Sequence, residues 1–87
     1  MALAEDFQNA VSQSKQFTQR PSNEELLDLY AFFKQASEGD ISGDRPGGFD
    51  FKAIAKHDAW AGKKGISKEE AMQSYVSLVD KLQQQYS

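Results

Sequence analysis

Apolar residues recur at spacings of three and four along most of the chain, a pattern typical of amphipathic α-helices. The pattern predicts helices over about residues 3–16, 23–37, 51–61 and 68–86. No stretch alternates with the two-residue period of a β-strand. The sequence therefore predicts an all-α fold, a four-helix bundle in which residues 1–87 form a single domain.

Start and stop signals mark where these helices begin and end. Ser22 and Glu25 form a capping box ahead of the second helix, and Gly39 is expected to end it. Asp50 is expected to cap the third helix, and Ser67 begins a second capping box ahead of the fourth. The boundaries are thus supported by local chemistry as well as by periodicity.

The second helix carries an apolar stripe and a polar flank. The stripe predicted to face the core is Leu26, Leu29, Phe33 and Ala36. Tyr30 and Lys34 lie four residues apart on one flank of that helix, so a phenol and a cation are presented to the same side. The spacing is typical of a ligand-facing pair and equally of an ordinary boundary pair.

Residues 39–50 form the one long irregular connection, with glycines and a proline that preclude a helix. Twelve extended residues reach roughly 40 Å, whereas a fifteen-residue helix is only about 22 Å long. The connection can therefore run the length of the bundle and start the third helix parallel to the second. A connection of this length is either a simple crossover or a functional loop.

Charge changes this picture only locally. A net charge of −3 and a pI near 5.0 argue against nucleic-acid binding. Residues 34–68 nevertheless hold seven basic and five acidic side chains. This excess is compatible with a solvated surface and with a local site for a small anion.

Several classes of chemistry lack their residues. There is no cysteine, which excludes disulfides, thiolate metal sites and cysteine nucleophiles and fits a reducing, cytoplasmic compartment. His57 is the only histidine and has no catalytic motif around it. We therefore expect no catalytic residue, no metal site and no bound cofactor. With no apolar run of membrane-spanning length and no signal peptide, stable membrane insertion is not expected either.

Binding residues remain as candidates on three helices. Tyr30, Phe33 and Lys34 lie on the second helix, Lys56 on the third and Tyr75 on the fourth. By periodicity alone, the phenylalanine and Tyr75 are core residues more often than ligand contacts, and the lysines are more often solvated. The residues therefore leave two alternatives open: the side chains converge on an anion, or they are ordinary core aromatics and solvated lysines.

Short motifs follow one another in a fixed order between residues 30 and 75. They are Tyr30-x-x-Phe33-Lys34-Gln35-Ala36, Gly39-Asp40, Arg45-Pro46-Gly47, Asp50-Phe51-Lys52, Lys56-x-x-Ala59-Trp60, Gly65-x-Ser67-Lys68-Glu69 and Ala71-Met72-x-x-Tyr75. As an ordered set they resemble the acyl-CoA-binding protein family. The lengths of the first helix and of the C-terminal tail also fit, so the resemblance covers nearly the whole chain.

The resemblance implies an up-down-down-up bundle and a cytoplasmic, non-catalytic carrier of long-chain acyl-CoA. It implies that Lys15, Tyr30, Lys34, Lys56 and Tyr75 contact the CoA head group. Lys34 and Lys56 would meet the ribose 3′-phosphate, and the aromatic side chains would meet the adenine and ribose. Because each helix has one apolar face, a monomer is expected.

Two positions depart from the family pattern. Phe33, the remaining site residue, stands where the family often has tyrosine, so stacking is kept and a phenol hydrogen bond is lost. His57 stands where the family often has tryptophan, which removes apolar bulk near Trp60. The alternative to a carrier is a helical protein-interaction module that keeps the fold without the ligand.

Overall fold

A computed structural model describes residues 2–86 of the chain. It contains α1 (Leu3–Ser14), α2 (Asn23–Glu38), α3 (Phe51–Ala61) and α4 (Lys68–Tyr86). No β-strand occurs in the described part. The predicted all-α, four-helix architecture is confirmed.

The first helix is shorter at its C-terminus than the predicted range 3–16. The Lys15 N–H donates to the Ser12 carbonyl at 3.2 Å, and the Gln16 N–H donates to the Gln13 carbonyl at 2.9 Å. These bonds span three residues rather than four and tighten the last turn. The helix therefore ends at Ser14, although the apolar pattern continues beyond it.

Both ends of α2 follow the predicted signals. The Ser22 hydroxyl accepts the Glu25 N–H at 3.1 Å, and the Glu25 carboxylate accepts the Ser22 N–H at 2.9 Å. At the other end Gly39 has a φ of 81°, a conformation that favours glycine, and its N–H donates to the Gln35 carbonyl. The helix ends at Glu38, one residue later than predicted.

The two later helices also begin at their predicted caps. The Asp50 carboxylate accepts the Ala53 N–H at 3.1 Å at the start of α3. The Ser67 hydroxyl accepts the Glu70 N–H at 3.1 Å at the start of α4. Each cap satisfies a backbone donor that has no partner inside its own helix.

The core lies between α4 and its two neighbours. Helix α4 packs against both α1 and α2, whereas α3 packs against α2 alone among the described elements. The buried apolar residues that form one cluster there are Phe7, Ala10, Leu29, Ala36, Ala71, Tyr75, Val79 and Leu82. Helix α3 contributes no fully buried residue. It is therefore a layer on the outside of α2 rather than part of the central core.

Contacts between helix ends define the topology. Trp60, near the end of α3, donates to the carbonyl of Gly39 at the end of α2, so these two helices run parallel. Tyr86, at the end of α4, donates to Glu25 at the start of α2, so α4 runs antiparallel to it. Thr18, just after α1, donates to the Tyr86 carbonyl. Helices α1 and α4 therefore run in one direction and α2 and α3 in the other, which is the up-down-down-up topology.

The inner face of α2 differs from the predicted stripe. Phe33, predicted to face the core, is 38% exposed, whereas Gln35, which was not predicted to be inside, is 0% exposed. Ala31 is fully buried as well. The reason is that α2 lies between α4 and α3, so its buried arc is wider than one amphipathic stripe and is centred elsewhere.

Gln35 satisfies its burial with a set of hydrogen bonds. Its Nε2 donates to Asp40 at 2.9 Å and to the Ile66 carbonyl at 2.7 Å, and its Oε1 accepts the Trp60 indole N–H at 3.2 Å. Asp40 also accepts the Gly65 N–H at 2.9 Å. One amide thus joins the end of α2 to the following loop, to α3 and to the segment that leads into α4.

The connection between α2 and α3 is fastened at a second point. Arg45 makes a two-point ion pair with Asp58, Nε to Oδ1 and Nη2 to Oδ2, both at 2.9 Å. Paired guanidinium–carboxylate bonds of this kind add geometric specificity. The loop is therefore held along the side of α3, although the ion pair itself is exposed.

We expect Gln35→Ala to lower the free energy of unfolding by about 2–3 kcal/mol, because it removes a fully buried amide and leaves the Trp60 N–H and the Ile66 carbonyl with fewer partners. In thermal unfolding this corresponds to a fall of at least about 8 °C in Tm. Gln84→Ala, at an exposed position of α4, is the matched control and should change Tm little. Equal effects of the two changes would contradict the role of the buried amide.

A second prediction concerns acid stability. The Gly65 N–H, and after it the Gln35 amide, hold the pKa of Asp40 below its ordinary value. A lowered folded-state pKa contributes stability that is present above the unfolded pKa of about 3.9 and is lost as pH falls through the folded value. Wild-type protein should therefore lose more stability between neutral pH and about pH 3 than Asp40→Asn does.

Urea unfolding at the two pH values measures this difference. Asp44→Asn, an exposed position in the same loop, is the control and should leave the pH dependence unchanged. An acid sensitivity of Asp40→Asn equal to that of wild type would show that this carboxylate is not linked to folding.

Candidate functional site

Two adjoining depressions lie along α2. The first, of about 570 Å³, we call the α2–α3 groove; its walls are Arg20, Asn23, Leu26, Leu27, Tyr30, Phe51, Lys52, Ala55 and Lys56. The second, of about 290 Å³, we call the α1–α2 cavity; its walls are Val11, Ser14, Lys15, Leu26, Leu29, Tyr30, Phe33 and Tyr75. Leu26 and Tyr30 belong to both, so Tyr30 stands where the two meet.

Tyr30 carries a cation over its ring. The Lys56 ammonium lies 5.3 Å from the centre of the Tyr30 ring, within the range of a cation–π contact. The parallel alignment of α2 and α3 brings these two side chains together. A positive charge and an aromatic face are thus placed at the junction of an apolar groove and an aromatic cavity.

Two rings that line the α1–α2 cavity, Phe33 and Tyr75, form a cluster with the buried ring of Phe7. Phe7 stacks on Phe33 with 6.0 Å between ring centres, and meets Tyr75 edge to face at 5.1 Å. Phe33 and Tyr75 are 6.3 Å apart. Phe7 is buried, whereas Phe33 is partly open to solvent. The exposed side of Phe33 is therefore available to stack with a planar group.

Tyr75 is held by α1 through a short relay. Its hydroxyl donates to the Ser14 hydroxyl at 3.1 Å, and Ser14 donates to the Val11 carbonyl at 2.7 Å. Burial raises the pKa of Tyr75, so its phenol stays protonated at neutral pH. Ser14 was not among the predicted site residues. The one sequence feature that pointed to it is its position on the apolar face of α1.

Lys34 lies apart from the other predicted residues and lines neither depression. Its ammonium pairs with Glu38 one turn along α2 and lies 5.0 Å from the centre of the Trp60 ring. The Glu38 carboxylate raises the pKa of Lys34, which keeps the ammonium charged. Lys34 and Tyr30 lie one turn apart on α2, so the shared flank predicted from their spacing is present.

The predicted site residues therefore fall into groups. Lys15, Tyr30, Phe33 and Tyr75 line the α1–α2 cavity, and Lys56 joins Tyr30 in the α2–α3 groove. Lys34 is adjacent but turned toward Glu38. Their assignment to a ligand stays a prediction at this point.

Two cations of the groove were absent from the predicted set. Lys52 lies one helical turn before Lys56, so its spacing was a usable signal. Arg20 comes from the segment before Pro21 and had no periodic signal, because only the folded chain brings that segment to α3. Both side chains add positive charge to the walls of the groove.

A third lysine also lies over an aromatic ring between α2 and α3. The Lys63 ammonium is 4.4 Å from the centre of the Phe32 ring and 3.8 Å from Asp28. Together with the contacts of Lys34 and Lys56, this forms a row of cation–π contacts between the two helices. Helix α3 is thus held to α2 partly by cation–π contacts at the edge of the interface between the two helices.

His57 lines neither depression. Both of its ring nitrogens are buried without a hydrogen-bond partner among the described residues, and Nδ1 is 3.8 Å from Asp58. In residues 2–86, no group of three or more histidine, cysteine or acidic side chains is arranged to hold a metal ion. Nor is any helix in that range both long and apolar enough to cross a bilayer.

Comparison with known proteins decides the family. The sequence model of a family described as "Acyl CoA binding protein" matches residues 4–79. The chain belongs to this family. The predicted resemblance is therefore confirmed, and the match extends over most of the chain, from α1 into α4.

Other members of this family are similar to the chain along nearly their whole length. The acyl-CoA-binding protein homolog 1 of Caenorhabditis elegans is 48% identical over 80 residues, covering 92% of this chain and 93% of its own. The acyl-CoA-binding protein homolog of Manduca sexta is 47% identical over 83 residues, covering 94% of this chain and 92% of its own.

The fold agrees with a solved member of the same family. The crystal structure of Oryza sativa acyl-CoA-binding protein 2 superposes with a TM-score of 0.92 at 39% identity, covering 97% of this chain and 93% of that one. This chain thus shares its four-helix arrangement with that protein.

Proposed function

We propose that this protein binds long-chain fatty acyl-CoA esters and serves as their intracellular carrier and buffer, without catalysing a reaction on them. The observation that supports this most directly is the position of Tyr30, where an aromatic cavity that contains Lys15 meets a groove with apolar walls and three cations. Acyl-CoA has the matching combination of a polyanionic nucleotide and an aliphatic tail. Family membership supports the same function.

The head group would lie against the α1–α2 cavity and its rim. Lys15 offers a cation in the cavity, Lys56 offers one over the Tyr30 ring, and Phe33 offers a partly exposed ring. A charge-assisted hydrogen bond contributes about 1.5–3 kcal/mol, and base–aromatic stacking contributes about 1–3 kcal/mol. We assign the ribose 3′-phosphate to Lys34 and Lys56, and the adenine and ribose to the aromatic side chains.

Lys34 reaches that phosphate only by exchanging partners. Its ammonium is paired with Glu38 in the structure, and the exposed carboxylate can release it to water at little cost. A phosphate dianion offers Lys34 more negative charge than one carboxylate does. We infer that ligand binding breaks the Lys34–Glu38 pair and keeps Lys34 near Trp60.

The acyl chain would lie in the α2–α3 groove. Leu26, Leu27, Phe51 and Ala55 supply apolar walls there. Each methylene removed from water contributes about 0.8 kcal/mol, so the tail sets affinity while the head group sets recognition. The bundle core is already filled by its own side chains, which leaves the surface groove as the place for a long tail.

The remaining features of the carrier are proposed on the same basis. We propose one acyl-CoA-binding domain spanning residues 1–87, a monomer, and a cytoplasmic location. Long-chain acyl-CoA is the proposed partner, with no nucleic acid and no cofactor beyond the ligand. Support comes from the acidic net charge of −3 and from the absence of cysteine in the sequence.

Isothermal titration calorimetry with acyl-CoA esters of increasing chain length tests the function. We expect palmitoyl-CoA to bind with micromolar or lower Kd, and affinity to rise with each pair of methylenes because the tail is buried in the groove. Absence of heat at high concentration would overturn the carrier function and favour a protein-interaction module. Equal affinity for short and long chains would contradict the tail site while leaving the head-group site in place.

Lys34→Ala tests the phosphate assignment. We expect it to weaken palmitoyl-CoA binding by about tenfold to a hundredfold, which is the effect of losing one charge-assisted bond. Lys68→Ala, an exposed lysine at the start of α4, should change Kd by no more than about twofold because it lies outside both depressions. Calorimetry provides both values.

Glu38→Gln is the sharper control for the same contact. It removes the partner of Lys34 without touching the ligand, so affinity should stay equal or rise. Equal losses for Lys34→Ala and Lys68→Ala would mean a diffuse basic surface instead of a defined phosphate site. A loss for Glu38→Gln as large as that for Lys34→Ala would mean that the pair acts through the fold.

A further inference from the structure

Two phenylalanines stand out from the bundle where the α2–α3 connection enters α3. Phe49 is 90% exposed and Phe51 is 71% exposed. Neither belongs to the hydrophobic core, and Phe49 lines neither the α2–α3 groove nor the α1–α2 cavity. Burying a phenylalanine side chain is strongly favourable. Two neighbouring phenylalanines that remain exposed to water therefore indicate a surface that contacts another molecule.

The backbone holds this aromatic pair in place. The Phe51 N–H donates to the Phe49 carbonyl at 2.9 Å, and the intervening Asp50 caps α3 through the Ala53 N–H. The two rings meet edge to face with 6.4 Å between their centres. They are thus presented together at the rigid start of a helix and do not fold back onto the bundle.

Positive charge lies beside the pair. Phe51 shares the wall of the α2–α3 groove with Arg20, Lys52 and Lys56, and no acidic side chain lines that groove. Asp50 is close to the rings, but its carboxylate is engaged as the cap of α3. This part of the surface is therefore locally basic in a protein whose net charge is −3.

We propose that Phe49, Phe51 and Lys52 form a docking surface for an anionic phospholipid bilayer. The rings enter the interfacial layer, and Lys52 and Arg20 stay at the level of the lipid phosphates. Aromatic rings with flanking cations are the side chains that anchor proteins at this interface. Because Phe51 also lines the α2–α3 groove, docking turns that groove toward the lipid.

Charge complementarity and area favour a bilayer over a folded protein as the occupant. A stable protein interface requires about 1,000 Å² or more of complementary surface. Glycines at 47 and 48 and a proline at 46 precede the pair and offer little side-chain area. A fluid lipid surface needs no complementary shape, only an apolar layer beneath a negatively charged one.

Flotation with lipid vesicles, carried out without acyl-CoA, tests docking independently of the carrier function. Wild-type protein should bind vesicles of phosphatidylcholine with phosphatidylserine, bind phosphatidylcholine alone much less, and dissociate as salt is raised. Phe49→Ser and Lys52→Glu should each lower partitioning onto anionic vesicles by about tenfold. Lys68→Glu is the matched charge reversal away from the pair and should have less than about a third of that effect.

One further variant and additional readouts on Phe49→Ser distinguish docking from other functions of the same residues. Phe49→Trp should retain binding, and its added tryptophan emission should shift to the blue on anionic vesicles, which reports entry of the ring. Phe49→Ser should leave the Tm and the palmitoyl-CoA affinity measured in solution within about twofold of wild type, because the side chain is exposed and lies outside the groove.

Four results would overturn the proposal. Failure of wild-type protein to bind anionic vesicles is the first, and unchanged partitioning of Phe49→Ser is the second. The third is a loss of palmitoyl-CoA affinity in Phe49→Ser as large as its loss of vesicle binding, which would assign the ring to the ligand. The fourth is a wild-type dimer in sedimentation velocity that Phe49→Ser dissociates, which would assign the pair to self-association.

Discussion

The buried amide of Gln35 sets the geometry on which the rest of the molecule depends. It hydrogen-bonds the loop at Asp40, the carbonyl of Ile66 ahead of α4, and the indole of Trp60 on α3. A buried amide left without partners is costly, so these three segments must meet the end of α2 together. That meeting aligns the C-terminal ends of α2 and α3 and makes the two helices parallel.

The candidate site follows from this alignment. With α3 parallel to α2, Lys56 falls over Tyr30, and the N-terminal halves of the two helices both line the α2–α3 groove. Helix α3 adds no fully buried residue and is held by cation–π contacts and by the Arg45–Asp58 ion pair. The central core is carried by α1, α2 and α4, so the α2–α3 groove lies outside it, whereas the α1–α2 cavity shares Leu29 and Tyr75 with it.

The same arrangement explains where sequence patterns succeeded and where they did not. Periodicity and capping residues predicted α3 and α4 at the observed limits, because those signals are local to each helix. Phe33 was placed in the core and Gln35 was not, because periodicity assumes one apolar partner face. Helix α2 has neighbours on two sides. Gln35 is polar, so the apolar pattern of the sequence does not mark it as buried. Phe33 is aromatic, so the same pattern marks it as a core residue although its ring lines a cavity.

By itself, the sequence determined the all-α class, the helix limits within a few residues, and the residue types able to meet an anion. These depend on local backbone preferences and on chemistry that each side chain carries alone. Only the tertiary structure decided which of them meet. It put Lys15, Phe33 and Tyr75 around one cavity, brought Arg20 to the groove, and placed the Trp60 ring beside Lys34. Those contacts join distant parts of the chain, and their positions depend on how α2 is packed between α3 and α4.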